Sequence, residues 1–119
     1  MKAFLKMRER ELEDEANNKD LNYIAKCSYN NAISRGRIKE KMTHREIAEG
    51  IMDEFQEFIM ASETKPSVHI PEYTEAAEEL ADIAISCFTE LHRMNVDVER
   101  IITEKVRYNM TRKTNEKCS

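Results

Sequence analysis

Apolar residues recur every three to four positions through most of this chain and rarely alternate one by one, which is the spacing of helices, not of strands. The first such stretch runs from Leu21 to Ser34, with Leu21, Ile24, Ala25, Ser28 and Ala32 on one face. Asp20 stands where an N-cap is expected, and Gly36 where the helix must stop. A second helix begins at Thr43, where Thr43-His44-Arg45-Glu46 has the form of a capping box. Its apolar face is Ile47, Ile51, Phe55, Phe58 and Ile59. Gly50 inside it costs about 1 kcal/mol relative to alanine, which predicts a point of close packing. A third helix is predicted from about Glu72 to Met94, apolar on more than one side between Leu80 and Leu91. Such a helix lies at the centre of a bundle or in a subunit interface. Asn95 ends it, and Asp97 caps a fourth helix from Val98 to about Lys113.

The remaining segments are short. Both prolines, Pro66 and Pro71, fall in one linker from Ser62 to Tyr73, and linkers of that length in helical domains are often functional. Residues 1–19 are a highly charged N-terminal arm or outer helix, residues 20–113 the helical domain, and residues 114–119 a loose polar tail. With 119 residues, only two glycines and 35% charged residues, the chain is expected to be one all-α domain, a bundle of four or five helices.

Charge and cysteine content narrow the classes of function. The net charge of −4 argues against a nucleic-acid polymer as partner. Cys27, Cys87 and Cys118 match no metal-ligand spacing and read as reduced thiols, with Cys87 a core residue. The N-terminus has no apolar signal region, and no segment approaches the roughly 20 apolar residues of a membrane span. A cytoplasmic protein is the expectation.

Asp82 is the one charge between Leu80 and Phe88, and burying a lone carboxylate costs several kcal/mol, roughly, without a compensating cation. It closes the motif Glu79-x-x-Asp82, and the preceding helix carries Glu54-x-x-Glu57 at the same spacing. Residues three apart share one side of a helix. Glu54 shares its face with Ile47, Ile51 and Phe58, so it points toward the core. If the two helices pack antiparallel, four carboxylates converge. Like charges about 4 Å apart repel by roughly 4 kcal/mol at an effective dielectric near 20, so the cluster needs protons or a hard cation. All-oxygen ligation suits Mg²⁺, with Mn²⁺ as a second choice. No Glu-x-x-His motif is present, which argues against a di-iron bundle. The fourth helix carries Val98, Ile101, Lys105, Asn109 and Arg112 as a single stripe. The stripe starts apolar and ends in groups suited to phosphate oxygens.

Asp53-Glu54-Phe55-Gln56-Glu57, Glu78-Glu79-Leu80-Ala81-Asp82 and Lys105-Val106-Arg107-Tyr108-Asn109-Met110-Thr111-Arg112, in that order, resemble the MazG-like all-α nucleoside triphosphate pyrophosphohydrolase superfamily. Its relatives include the dimeric dUTPases and the phosphoribosyl-ATP pyrophosphohydrolases. The resemblance covers roughly residues 28–112. It implies that Glu54, Glu57, Glu79 and Asp82 bind Mg²⁺, that Lys105, Asn109 and Arg112 hold the triphosphate, and that Glu57 orients the attacking water. It implies cleavage between the α and β phosphates, giving a nucleoside monophosphate and pyrophosphate in nucleotide-pool housecleaning. It also implies a homodimer or homotetramer that completes the bundle. Relatives often continue past the final Arg with Pro and a His-Gly-Lys-like stretch, where this chain has Lys113-Thr114-Asn115.

Two alternatives stand beside this expectation: a non-catalytic dimerisation or nucleotide-binding module on the same scaffold, and a phosphoribosyl-ATP pyrophosphohydrolase. Asn109 leans toward the housecleaning branch. For the base, Tyr29, Tyr73 and Phe55 offer rings for stacking, and Asn30 or Asn31 an amide to read its edge. The Arg35-Gly36-Arg37 turn and the Ser62–Tyr73 linker are candidates to close over the phosphates.

Overall fold

A computed structural model describes residues 20–112. The arm expected over 1–19 and the tail over 114–119 lie outside the described residues, as does Lys113. Among the described residues four helices follow one another: α1 (Leu21–Ser34), α2 (His44–Met60), α3 (Glu75–Arg93) and α4 (Val98–Thr111). The chain is all-α.

Each helix starts where its capping chemistry places it. Asp20 accepts from the Asn22 N–H at 2.8 Å. The capping box of α2 is closed in both directions, Thr43 N–H to Glu46 Oε1 at 3.0 Å and Glu46 N–H to Thr43 Oγ1 at 3.1 Å. Asp97 accepts from Arg100 N–H at 3.0 Å to open α4. The ends are equally local: Gly36 at φ 71° and Asn95 at φ 60° take the left-handed conformation that turns the chain out of α1 and α3.

Two boundaries differ from the sequence expectation. The third helix starts at Glu75 rather than Glu72, because Thr74 takes the cap by accepting from Ala77 N–H. The residues just before it are held in a turn, with Tyr73 N–H bonded to Ile70 O. The fourth ends at Thr111, where Arg112 is already extended.

The central helix is α3, which packs against α1, α2 and α4. It runs antiparallel to α1. Ser28 and Thr89 share a 2.6 Å hydroxyl–hydroxyl hydrogen bond across the pair, and Asn22 joins the start of α1 to the start of α4 through Asp97 and Val98 N–H. Ala25 and Val98 are fully buried at these crossings. The Ser62–Tyr73 linker is tied down rather than free. Its strand-like pairing with the start of α3 (Ser67 N–H to Tyr73 O, Glu75 N–H to Lys65 O) is reinforced by Glu78. Glu78 accepts from the buried Ser67 hydroxyl and pairs with His69 Nδ1 at 2.9 Å. The linker is therefore a braced turn, unlike the closing flap the sequence suggested.

The expected apolar face of α2 is only partly covered. Ile47, Ile51 and Phe58 are half-buried, whereas Phe55 and Ile59 are more than half exposed. Leu80 and Ile85 on α3, and Ile101, Val106 and Tyr108 on α4, also face outward. Gly50 does not mark a close helix crossing as expected, since a Cβ built there meets nothing within 4 Å. Replacing it with alanine removes only the flexibility penalty of glycine in a helix interior. Gly50→Ala is therefore expected to stabilise the fold by about 0.5–1 kcal/mol, read as a raised midpoint in urea with an unchanged slope.

Candidate metal centre and adjoining cavity

Helices α2 and α3 bring together the carboxylates that the sequence singled out. The charge of Asp82 bears on Glu54 and that of Glu57 on Glu79. Residue numbers thus rise along one helix as they fall along the other, so the pair is antiparallel. One oxygen from each of Glu54, Glu57 and Glu79 lies within 4.8 Å of the others. Asp82 stands beside this trio, half-buried, and lines a cavity with Glu54.

The electrostatics follow from that convergence. Burial raises the Glu54 carboxyl above its ordinary range, with further upward pushes from Glu57 and Asp82. Glu79 is raised by burial and then by Glu57 and Asp82. Asp82 is raised by burial and then by Glu78 and Glu57, although Arg37 and His69 oppose the shift. Arg37 offers a guanidinium nitrogen 3.4 Å from Glu54 Oε1. Glu79 Oε2 is buried without any hydrogen-bond partner, an arrangement that is costly for an ionised oxygen left alone.

These features fit a hard divalent cation. The donor set is carboxylate only, the oxygens already converge, and one buried oxygen lacks a partner. Cys27 and Cys87 lie outside the cluster. Glu78, one residue before Glu79, is used differently. Its bonds to Ser67 and His69 lower its pKa, and its role is to brace the linker.

A cavity of about 630 Å³ opens beside Glu54 and Asp82, within the range of about 300–1,000 Å³ common for small-molecule sites. Helix α1 contributes Ile24, Cys27, Ser28 and Asn31, and the α1–α2 connector contributes Arg35, Arg37, Ile38 and Met42. Gly50 and Ile51 line it from α2, and Ile85, Ser86, Thr89 and Glu90 from α3. The absent side chain of Gly50 thus leaves room in the cavity wall. Arg93 holds the connector in place by donating to Glu40 O at 3.1 Å while its guanidinium grips Glu90 through two bonds of 2.6 and 2.8 Å.

Of the groups proposed for base recognition, Asn31 lines this cavity. Tyr29 instead stacks at a tilt on His92, with ring centroids 5.0 Å apart, and Phe55 and Tyr73 are exposed. Lys105 and Asn109 lie on α4 and Arg112 just past its end; α4 packs on α1 and α3 but not on α2. Lys105 and Arg112 flank the Tyr108 ring, at 4.9 and 5.9 Å from its centroid. Single-residue patterns gave no sign of the cavity itself, because it is built from three helices and a connector.

The family model described as phosphoribosyl-ATP pyrophosphohydrolase matches residues 28–109, well over half of the chain. The chain belongs to this family. Phosphoribosyl-ATP pyrophosphohydrolases sit within the MazG-like all-α superfamily, so the resemblance carried by the two acidic motifs holds. The family places the chain among pyrophosphate-hydrolysing enzymes that typically depend on a divalent metal. No curated protein and no solved structure matches the chain. No helix among the described residues is long and apolar enough to cross a membrane.

The raised carboxyls give a signed pH prediction for the metal-free protein. Folded carboxyls with raised pKa values hold more protons than the unfolded chain in the window above the ordinary values of 3.8 and 4.5. This contribution therefore destabilises the fold as pH rises through that window and is relieved as pH falls. A Glu54→Gln, Glu79→Gln double variant should melt higher than the parent at neutral pH without metal, and the gap should close toward the ordinary carboxyl range. Adding millimolar Mg²⁺ should raise the melting midpoint of the parent and leave that of the variant unmoved.

Proposed function

We propose that this protein is a Mg²⁺-dependent nucleoside triphosphate pyrophosphohydrolase that cleaves between the α and β phosphates, releasing a nucleoside monophosphate and pyrophosphate. The observation that carries it is the contiguity of the converging carboxylates with a largely apolar cavity of nucleoside-compatible volume. Glu54, Glu57, Glu79 and Asp82 would hold the cation. A bound Mg²⁺ or Mn²⁺ supplies neutralisation of phosphate oxygens and lowers the pKa of a coordinated water. Glu57, the exposed member of the trio, orients the attacking water by accepting a hydrogen bond from it. The apolar cavity walls exclude bulk water from the nucleoside and leave Asn31 to address an edge of the base.

Lys105, Asn109 and Arg112 bind the triphosphate in this proposal. Within one chain α4 is anchored beside the C-terminal end of α3 through Asn22, Asp97 and Val98. That end lies about 16 Å along the helix from Asp82 at 1.5 Å per residue. A homodimer or homotetramer answers both this separation and the exposed apolar residues of α2, α3 and α4, because a second copy laid on that face covers them and brings further α4 helices near the carboxylates. The proposed setting is the cytoplasmic nucleotide pool.

A second substrate, phosphoribosyl-ATP, is favoured by the family match. Both substrates present a nucleotide polyphosphate to the same carboxylates and differ in what the cavity must accept. Pyrophosphate release should therefore be assayed with Mg²⁺ across canonical and modified nucleoside triphosphates and phosphoribosyl-ATP. Turnover of a triphosphate with little on phosphoribosyl-ATP is the expected result. Asp82→Asn and Glu57→Gln should each lower turnover by about two orders of magnitude, with circular dichroism unchanged. Full activity in both variants removes the metal assignment, and no release from any nucleotide leaves a non-catalytic binding or dimerisation module.

A further inference from the structure

Among the described residues, the cation paired with these carboxylates is not on α4. Arg37 sits in the α1–α2 connector, one residue after the left-handed Gly36. Its own N–H and that of Ile38 both return to Ala32 O, at 2.9 and 3.4 Å, so the backbone beneath it is fixed to the end of α1. The far end of the connector is fixed by Arg93 on Glu40 O. The Arg37 side chain is less constrained. It is 60% exposed, against 13% for Glu54, and its 3.4 Å contact with Glu54 is long for a charged pair. Arg37, Glu54 and Asp82 all line the cavity.

One guanidinium cannot neutralise four carboxylates. Glu54, Glu57, Glu79 and Asp82 would hold a divalent cation, which would supply twice the charge of Arg37 and compete with it for the Glu54 oxygens. The guanidinium would then compete less well for the Glu54 oxygens and stay at the rim of the cavity, which it lines. A polyphosphate entering beside the cation presents oxygens for which a planar, bidentate donor is well matched. Such a hand-over costs little backbone movement, since the connector is pinned at both ends.

We infer that Arg37 is an exchanging counter-ion: it pairs with Glu54 while the carboxylates are empty, and pairs with a substrate phosphate once a divalent cation occupies them. The inference rests on the pyrophosphohydrolase proposal above and adds a substrate-binding residue to it. It assigns to the connector a role that the α4 stripe does not fill within one chain.

Two titrations, neither of which depends on turnover, test it: Mn²⁺ alone, and an α,β-imido nucleoside triphosphate in the presence of saturating Mn²⁺. Arg37→Ala should bind Mn²⁺ as tightly as the parent or several-fold more tightly, because a competitor for Glu54 is gone. The same variant should bind the triphosphate analogue about tenfold more weakly. Arg37→Lys, which keeps the charge and loses the fork, should fall between the two, and it tests the same point should the alanine variant fold poorly. In turnover assays the loss should appear in KM more than in kcat. Weakened Mn²⁺ binding with unchanged analogue affinity overturns the inference and makes Arg37 a support for Glu54. Equal affinities in parent and variants overturn it while the pyrophosphohydrolase proposal stands. Failure of the parent itself to bind Mn²⁺ and the analogue overturns both.

Discussion

Mutual repulsion among carboxylates on facing helices is the constraint around which this molecule is organised. Antiparallel packing of α2 on α3 brings Glu54, Glu57 and Glu79 within 4.8 Å of one another and sets Asp82 beside them. Apolar packing along the same two helices holds them there. The outcome is a helix pair whose packing and whose charges oppose each other, a frustration that folded chains tolerate chiefly at sites of function. Raised carboxyl pKa values and a buried Glu79 oxygen without a partner are two expressions of that single opposition. Arg37 relieves a part of it from outside the pair.

The rest of the fold serves to keep this arrangement in register. Helix α1 braces α3 through the Ser28–Thr89 hydroxyl pair and provides one wall of the cavity. The Glu90–Arg93 pair, itself on α3, reaches across to hold the connector that carries Arg37. Polar contacts with short bonds therefore lie at the ends and crossings, and the cavity lies between them. Apolar side chains left outward on α2, α3 and α4 give the same molecule a surface unlike that of a self-sufficient four-helix domain.

Local chemistry made much of this legible in the sequence. Asp20, Thr43 and Asp97 announce helix starts because a cap depends on residues within one turn, and Gly36 and Asn95 mark stops for the same reason. Glu54 and Asp82 are visible because a charge inside an apolar stripe stands out against helical periodicity, and Glu57 and Glu79 follow from the i, i+3 spacing to them. Distance in sequence hid the remainder. Arg37 meets Glu54 only through the geometry of a pinned connector. Gly50 was expected to mark tight packing but in fact lines a cavity, because periodicity says which face a residue takes and not what fills the space opposite. The α3 start falls three residues after the expected Glu72 because Thr74 supplies its cap.

Glu78 and Glu79 stand next to each other, yet one braces the linker and the other joins the carboxylate cluster. Successive residues on a helix point about 100° apart, so this division of tasks is encoded purely as rotation. Gain of one residue before Glu78 would turn the brace toward the cluster, and loss of one would turn a ligand toward the loop. Substitutions on the outer face of α3 leave that phase intact, whereas a change in its length does not. Across descendants of this chain, the outer face of the first two turns of α3 should therefore accumulate replacements freely while the helix refuses insertions and deletions there, which would collect instead in connectors whose length sets no angle.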